Sequence, residues 1–300
     1  MKSRNQQVHL PFLDEHGVQL VIKREDELHP HISGNKYRKL KYNLVRAKEI
    51  GHSTLLTFGG AFSNHILATA CAGKENGFHT IGIIRGEELE NNWHENPTLK
   101  MASDFGMRFH FVSREGYRKK AESHFLEDLQ QRFGNFYHLP EGGTNTLAVK
   151  GCEEILTVED ANFDCICCAV GTGGTVAGFI NSATANQTVH GYASLKGDFL
   201  IEAIQKFAKV KNWQLVTDHH FGGYAKVTAE LVHFINDFYA KTEIPLDPIY
   251  TGKMLFGIFD QIKKGAFKPK TRILAIHTGG LQGKKGMNRV LKKKNLPLLH

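Results

Sequence analysis

Three glycine-rich segments follow apolar, strand-like runs and hold residue types suited to binding a charged small molecule. They are GGAFSNH (59–65), GTGGT (171–175) and HTGG (277–280). Glycine permits positive φ angles, so each segment allows the backbone to approach a ligand closely. GTGGT also precedes a helical pattern, and the backbone N–H groups at a helix start favour an anion such as phosphate. Its members are Gly171, Thr172, Gly173, Gly174 and Thr175.

This segment differs from the common nucleotide-binding motifs. It lacks the GK[ST] ending of a P-loop, and Val176 occupies the third glycine position of GxGxxG. A monophosphate therefore fits the segment better than a pyrophosphate.

Lys36 stands at the predicted start of a helix that ends near Gly51, directly after Ser33, Gly34 and Asn35. A lysine aimed from a helix start toward a phosphate-binding loop can form a Schiff base with an aldehyde cofactor. Burial and neighbouring cations lower the pKa of such a lysine and supply the neutral amine. A lone lysine is otherwise only a solvated charge, so the hypothesis requires a fold that brings Lys36 near GTGGT.

Ser63, Asn64 and His65 lie at a predicted strand-to-helix turn and allow two interpretations. Ser63 can cap the helix that follows, which would explain the segment structurally. Alternatively, the hydroxyl, the amide and local N–H groups form a cradle for a carboxylate or a phenolate. The local pattern leaves both open.

Short β-rich runs alternate with amphipathic stretches along most of the chain, which predicts an α/β fold. Because the strands are almost continuously apolar, we expect open, twisted, mainly parallel sheets covered by helices on both faces. Ligands bind beyond the carboxyl ends of such strands, where all three glycine-rich segments fall. The predicted strands are 53–58, 79–85, 108–112, 135–139, 164–170, 188–194, 212–216 and 272–277, and the predicted helices include 63–76, 97–105, 117–133, 146–158, 199–208, 228–240 and 251–264.

Composition and charge narrow the class of protein. The 300 residues are 41% hydrophobic and 23% charged, which is ordinary globular usage and suggests about two domains. No apolar run is long enough to span a membrane, and the first residues lack a signal-peptide core, so we expect a cytoplasmic protein without a membrane partner. The net charge of +8 suits an anionic ligand or a nucleic acid. The basic tract 284–294 lacks interleaved aromatic residues, which disfavours nucleic acid.

The five cysteines predict neither a disulfide framework nor a metal site. Cys165, Cys167 and Cys168 lie in an apolar run that is typical of a buried strand. Metal sites usually present CxxC pairs with a second pair or histidines at a fixed distance, and that spacing is missing. We therefore expect packing roles and no metal.

Six sequence blocks taken together resemble one enzyme family. In chain order they are VIKREDELHPHISGNKYRKL, GGAFSNH, PEGGTNTLAVKG, AVGTGGTVAGF, LDPIYTGK and ILAIHTGG. This series resembles the D-cysteine desulfhydrase and 1-aminocyclopropane-1-carboxylate (ACC) deaminase family of pyridoxal 5′-phosphate (PLP) enzymes, over about residues 21–280. The resemblance implies the tryptophan-synthase β-like fold (PLP fold type II) and a homodimer. It also implies a small domain over 36–149, a large domain over 1–35 and 150–300, and PLP between them.

The resemblance also implies cofactor-binding roles for particular residues. Lys36 matches the lysine that holds PLP covalently and shuttles the substrate's α-proton. Asn64 matches the side chain that hydrogen-bonds the phenolic oxygen of PLP, and residues 171–175 match the phosphate loop. Thr278 matches the hydroxyl that faces the pyridine nitrogen. A neutral hydroxyl there does not enforce protonation of the ring, which suits elimination chemistry.

Substrate-binding roles are implied in the same way. Tyr250 in LDPIYTGK and Tyr224 in FGGYAK match two active-site tyrosines that position the substrate or relay a proton. Ser63 and His65 are implied to line the substrate carboxylate site, Asn64 is implied to contact the substrate as well, and Ser63 is also expected to be catalytic.

The residue at position 251 helps to distinguish elimination from ACC deamination. ACC deaminases carry glutamate after the tyrosine of this block, and a threonine cannot act as a carboxylate base. We therefore expect α,β-elimination on a small amino acid, with D-cysteine giving pyruvate, ammonia and hydrogen sulfide. The alternatives are ACC deamination to 2-oxobutyrate and ammonia, or a non-catalytic phosphate- or nucleotide-binding module. Phe62, Ile66 and Leu67 depart from the family's usual polar residues, which leaves the substrate open.

Overall fold

The strands of the chain build two separate open sheets. A computed structural model describes residues 2–197 and 199–300. The strands are β1 (Asn5–Val8), β2 (Gln19–Lys23), β3 (Thr54–Gly60), β4 (His79–Arg85), β5 (Met107–Val112), β6 (Tyr137–Leu139), β7 (Cys165–Val170), β8 (Thr188–Ala193), β9 (Trp213–Val216) and β10 (Arg272–Ile276). One sheet has six strands in the order β1-β2-β10-β7-β8-β9, and the other has four in the order β5-β4-β3-β6.

Both sheets are parallel except where β1 pairs antiparallel with β2 at the edge of the larger one. The carboxyl ends of β3, β7 and β10 therefore carry the three glycine-rich loops, as the sequence predicts. All strands of the smaller sheet fall within residues 36–149, the range predicted for the small domain. The domain boundaries themselves stay a prediction.

Helices connect and cover these strands. They are α1 (Pro11–Glu15), α2 (Asn35–Glu49), α3 (Asn64–Asn76), α4 (Pro97–Asp104), α5 (Arg114–Arg118), α6 (Ser123–Phe133), α7 (Thr146–Glu153), α8 (Gly174–Ser182), α9 (Phe199–Gln205), α10 (Ala229–Thr242), α11 (Thr251–Lys263) and α12 (Gly283–Lys293). None of them is long and apolar enough to cross a membrane, within the ranges given above.

Residues 117–133 form two helices, so the prediction of a single helix is wrong. Ser113 starts α5 early, because its hydroxyl accepts a hydrogen bond from the backbone N–H of Gly116 at 3.0 Å. The chain then turns before α6 begins. Tyr117 of α5 and Leu129 of α6 pack in the same core cluster against the smaller sheet, which a continuous helix over this stretch does not provide.

The helix predicted over 146–158 ends at Glu153, and a 3₁₀ turn follows over Val158–Asp160. A reciprocal cap between Thr157 and Asp160 sets this turn. The Asp160 carboxylate also pairs with Lys23, and both side chains are almost fully buried. This ion pair ties the turn to β2 and draws the chain out of the helical path.

Alternate residues of β7 enter two different apolar cores, which explains its continuous hydrophobicity. Cys165 and Cys167 belong to the core on one face of the larger sheet, and Cys168 belongs to the other. All three are buried free thiols, so the packing role is confirmed. The Cys165 and Cys167 sulfur atoms are 3.7 Å apart. These two sulfur atoms and one ring nitrogen of His190 lie within 4.8 Å of one another, which is close enough for all three to bind one metal ion.

Two contacts fix the start of α2, which carries Lys36. Gly34 has a φ of 60°, and a β-carbon there would lie 2.0 Å from the carbonyl oxygen of Thr278, so only glycine allows this approach. Arg38 donates two hydrogen bonds to the Glu25 carboxylate, at 2.9 and 2.8 Å, and both side chains are buried. Together these contacts hold Lys36 beside the end of β10.

We expect Glu25→Ala to lower the free energy of unfolding by about 3–5 kcal/mol, because it leaves the buried Arg38 guanidinium unpaired. Urea denaturation followed by circular dichroism measures this. Glu49→Ala is the control on α2, the helix that carries Arg38, since Glu49 pairs with Arg46 at 3.5 Å on the surface. The destabilisation in this control should stay below about 1 kcal/mol. Similar destabilisation of the two variants would contradict the assigned role.

Candidate active site

The carboxyl ends of strands from both sheets meet at a cavity of about 430 Å³. The cavity brings together nearly all of the residues singled out in the sequence. Those that line it are Lys36, Ser63, Asn64, His65, Gly171, Thr172, Gly173, Thr175, Tyr224, Tyr250 and Thr278. Gly174 is not among the lining residues. It begins α8, and a β-carbon there would lie 2.6 Å from the Thr144 side chain.

Two lysine amines converge on one backbone carbonyl at the floor of this cavity. Lys36 Nζ donates to the Gly142 oxygen at 3.1 Å, and Lys39 Nζ donates to the same oxygen at 3.0 Å. Burial, reinforced by the neighbouring charge of Lys39, lowers the pKa of Lys36 well below its ordinary value. Lys36 is thereby poised as a neutral amine, the form that attacks an aldehyde.

Lys39 also links this floor to the glycine-rich loop after β7. Its amine donates to Thr144 Oγ1 at 2.9 Å, and that hydroxyl lies 2.5 Å from the hydroxyl of Thr172. On the other side of the loop, the Asn35 side chain donates to Thr175 Oγ1 at 2.7 Å. The Lys39 amine, the hydroxyls of Thr172 and Thr175 and the N–H groups at the start of α8 therefore surround a space that suits a phosphate. Sequence reasoning missed Lys39, although it lies three residues after Lys36 on the same helix.

Ser63 caps α3, so the capping interpretation holds for its oxygen. Ser63 Oγ accepts from the Ile66 N–H at 3.3 Å, while the residue also lines the cavity. Asn64 Oδ1 accepts from the Gln282 side chain at 2.8 Å. This bond ties Asn64 to the start of α12. It engages only the oxygen of the Asn64 amide, so the amide nitrogen takes no part in it.

The His65 ring carries one N–H, on Nε2, and its Nδ1 is a hydrogen-bond acceptor. The Thr57 hydroxyl donates to the Leu139 carbonyl at 3.0 Å, so His65 Nε2, which lies 2.8 Å from Thr57 Oγ1, must carry the proton. His65 Nδ1 is buried and has no hydrogen-bond partner within residues 2–197 and 199–300. Burial lowers the pKa of His65 well below its ordinary value, and the charge of Lys39 acts in the same direction. His65 Nδ1 can therefore accept a hydrogen bond from a donor on a ligand, but it cannot donate one to a carboxylate.

Two neutral phenols form another wall. The rings of Tyr224 and Tyr250 have centroids 6.3 Å apart, and burial raises the pKa of both hydroxyls above the ordinary value. The loop that carries Tyr224 has positive φ at four residues, Phe221, Gly222, Gly223 and Ala225.

Lys253 of α11 holds this loop in place. The buried amine donates to the carbonyl oxygens of His220 and Gly223, each at 2.8 Å, and burial lowers the pKa of Lys253 to about 8. The lysine belongs to the block LDPIYTGK, but nothing local in the sequence indicates that it binds a distant loop.

A charged outer wall completes the cavity, and sequence reasoning missed it. Arg85, Lys120 and Glu141 line this side. Arg85 is the last residue of β4, the neighbour of β3, so the rule that ligands gather at carboxyl strand ends could have indicated it. Glu141 lies in the block PEGGTNTLAVKG.

Comparison with known proteins identifies the family. A family profile described as "Pyridoxal-phosphate dependent enzyme" matches residues 3–279. The chain belongs to this family. A Pyrococcus horikoshii protein that carries the provisional name 1-aminocyclopropane-1-carboxylate deaminase is 32% identical over 287 residues, which are 90% of this chain and 86% of that protein. The Arabidopsis thaliana protein named bifunctional D-cysteine desulfhydrase/1-aminocyclopropane-1-carboxylate deaminase, mitochondrial, is 32% identical over 299 residues, 89% of this chain and 73% of its own length.

Solved structures agree on the fold. The crystal structure of an ACC deaminase homologue superposes with a TM-score of 0.83 and 29% identity, over 98% of this chain and 94% of that chain. A tomato threonine deaminase isoform, at 18% identity, shares the fold with a TM-score of 0.68. The protein is therefore a PLP-dependent lyase of fold type II and of the ACC deaminase and D-cysteine desulfhydrase type. The predictions of fold class, enzyme class and cofactor are confirmed.

The cavity fits PLP on its own chemistry. The space between α8 and Lys39 suits the phosphate, and the low-pKa amine of Lys36 suits the aldehyde. The orphaned acceptor at His65 also calls for a donor from a bound ligand, since a buried acceptor without a partner is costly. The individual roles of Lys36, Asn64, Thr278 and residues 171–175 toward PLP remain predictions.

We expect borohydride reduction of the PLP-loaded protein to attach the cofactor to Lys36 and not to Lys39. The reason is that the Lys39 amine is held by two acceptors, whereas the Lys36 amine has one. Proteolysis and tandem mass spectrometry locate the adduct. Lys36→Arg should abolish it, and an adduct on Lys39 in the unmodified protein would contradict the assignment.

Removing the charge of Lys39 should raise the pKa of Lys36, because that charge is one of the causes that lower it. PLP attachment requires the neutral amine and therefore slows as the pH falls through this pKa. In Lys39→Met the attachment rate, followed by absorbance, should fall off at higher pH than in the unmodified protein. Lys41→Met, a change on the exposed side of the same helix, should leave the profile in place. An unmoved profile in Lys39→Met would refute the coupling.

Proposed function

We propose that the protein catalyses α,β-elimination on D-cysteine or a related β-substituted D-amino acid, releasing pyruvate, ammonia and hydrogen sulfide or another thiol. The observation that carries this proposal is the environment of Thr251. Its side chain is completely buried and does not line the cavity. No carboxylate base therefore comes from this position, where ACC deaminases carry glutamate.

Thr251 has a structural task instead. Its hydroxyl accepts from the Asp247 backbone N–H at 2.9 Å, and the Asp247 carboxylate accepts from the backbone N–H groups of Thr251 and Tyr250 at 2.8 and 2.7 Å. This reciprocal cap begins α11 and fixes the backbone of Tyr250. Position 251 thus supports the phenol wall and supplies no acid or base to the reaction.

The proposed roles follow from where each group lies. Ser63 and Asn64 offer the hydroxyl and amide donors that a substrate carboxylate needs, since His65 has no N–H to spare. When bound, PLP withdraws electrons from the substrate's α-carbon. Lys36 accepts the α-proton, the bond from the β-carbon to sulfur breaks, and its electron pair leaves with the thiolate. Water then converts the remaining three-carbon product into pyruvate and ammonia.

Tyr224 and Tyr250 are the proposed proton donors to the departing thiolate, because both remain protonated phenols at neutral pH. Thr278, at the end of β10, is the proposed partner of the pyridine nitrogen. Its neutral hydroxyl favours a restrained electron sink over full ring protonation. A homodimeric assembly stays a prediction from the family.

ACC deamination to 2-oxobutyrate is the second candidate, supported by the names of the relatives. The Arabidopsis relative carries both activities in its name, so similarity does not separate them. The identity of residue 251 favours elimination.

Parallel kinetics on D-cysteine, L-cysteine and ACC test the proposal. We expect kcat/KM for D-cysteine to exceed that for ACC by at least about tenfold, a difference of roughly 1.4 kcal/mol in transition-state binding. Pyruvate, 2-oxobutyrate, ammonia and sulfide are quantified together so that each reaction is identified by its products. Lys36→Ala should abolish turnover. Activity on ACC with none on either cysteine enantiomer would overturn the proposal in favour of the deaminase.

A further inference from the structure

The outer wall of the cavity is a built cluster around one tyrosine. Tyr117 is 2% exposed, and two cations lie against its ring: Arg85 at 5.6 Å and Lys120 at 4.9 Å from the centroid. The Tyr117 hydroxyl donates to the Glu141 carboxylate at 2.8 Å. The aromatic face stabilises both cations in position, because a cation is attracted to the negative face of the ring.

Among residues 2–197 and 199–300, Glu141 is the one carboxylate of this wall, and it is already engaged. Glu141 accepts from Tyr117 and pairs with Lys120 at 3.3 Å. Arg85, by contrast, pairs with no carboxylate and makes no side-chain hydrogen bond in the part of the chain that the structure describes. Its guanidinium lies beside Gly60, where a β-carbon would be 3.4 Å from one of its nitrogens. The donors of Arg85 thus remain available at the cavity.

The anions already expected in the cavity have donors elsewhere. The phosphate has α8 and Lys39, and the substrate carboxylate has Ser63 and Asn64. Arg85 lies at the carboxyl end of β4, a strand that carries none of these donors. It lines the same cavity as Tyr224 and Tyr250. One cation of the site therefore has no assigned anion.

We propose that Arg85 forms a second anion subsite, which binds an acidic group at the far end of the substrate's side chain. The inference rests on the proposed elimination and narrows its substrate class to β-substituted amino acids whose leaving group carries a carboxylate or another anion. Arg85 binds that group through charge-assisted hydrogen bonds, while the ring of Tyr117 keeps the guanidinium in place. Lys36 still takes the α-proton, and the anionic thiol leaves with the electron pair of its bond to the β-carbon.

An isosteric pair of substrates tests this subsite. S-carboxymethyl-D-cysteine and S-carbamoylmethyl-D-cysteine differ in one end group, a carboxylate or a neutral amide, and both yield pyruvate. We expect the carboxylate to be preferred by roughly 10- to 100-fold in kcat/KM, because only the carboxylate forms a charge-assisted hydrogen bond with the guanidinium. Arg85→Gln should abolish the preference, through a higher KM for the carboxylate substrate.

Matched variants separate the charge from general effects. Arg108→Gln removes the same charge from the exposed surface of neighbouring β5 and should keep the preference, and Arg85→Lys should keep part of it. D-2-aminoadipate, which has the same end group but no leaving group, supplies a readout besides activity. Its binding, measured from the absorbance of the bound cofactor, should weaken in Arg85→Gln.

The outcomes distinguish this inference from the proposed function. Turnover of D-cysteine with equal kcat/KM for the two S-substituted compounds would overturn the anion subsite alone. A preference for the carboxylate that persists in Arg85→Gln would do the same. No elimination from any of the three compounds would refute the proposed function and, with it, this inference.

Discussion

Two buried lysine amines share the carbonyl oxygen of Gly142, and the rest of the site depends on this contact. Burying two cations side by side is costly, and the cost appears as the lowered pKa of both lysines. The carbonyl is available because Gly142 has a φ of 67°, with the Thr172 side chain 2.9 Å from where a β-carbon would stand. A substituted residue there would move the oxygen that both amines need.

The same contact joins both sheets. The two lysines belong to α2, Gly142 follows the last strand of the smaller sheet, and Thr172 follows the central β7 of the larger sheet. The buried pair of Arg38 and Glu25 and the close approach of Gly34 to Thr278 fix the other end of the arrangement. This arrangement leaves Lys36 for the proposed covalent role and places Lys39 beside the proposed phosphate site.

The overall charge of +8 can be divided between the ligand-binding cavity and a surface helix. Part of the excess lies in the cavity, where the described residues include four basic side chains and one carboxylate: Lys36, Lys39, Arg85, Lys120 and Glu141. The basic tract 284–294 lies largely on α12, where Met287 and Leu291 face the core and the lysines face outward. That tract forms an ordinary amphipathic surface helix. The positive potential that matters for ligand binding is local, and it matches an anionic cofactor and an anionic substrate.

Most of the strands and helices, and the kind of ligand that the loops suit, are predictable from local patterns in the sequence. The alternation of apolar runs with amphipathic stretches indicated the parallel sheets, and the glycine-rich loops indicated the edge at which ligands bind. Short-range patterns sufficed because strand burial, capping and loop conformation depend on neighbouring residues. The break between α5 and α6 was missed since the shared core of Tyr117 and Leu129 decides it. Only the tertiary structure decided that Lys39, Lys253 and Arg85 belong to the site. Each acts on groups far away in the chain, so its role depends on distances that no local pattern contains.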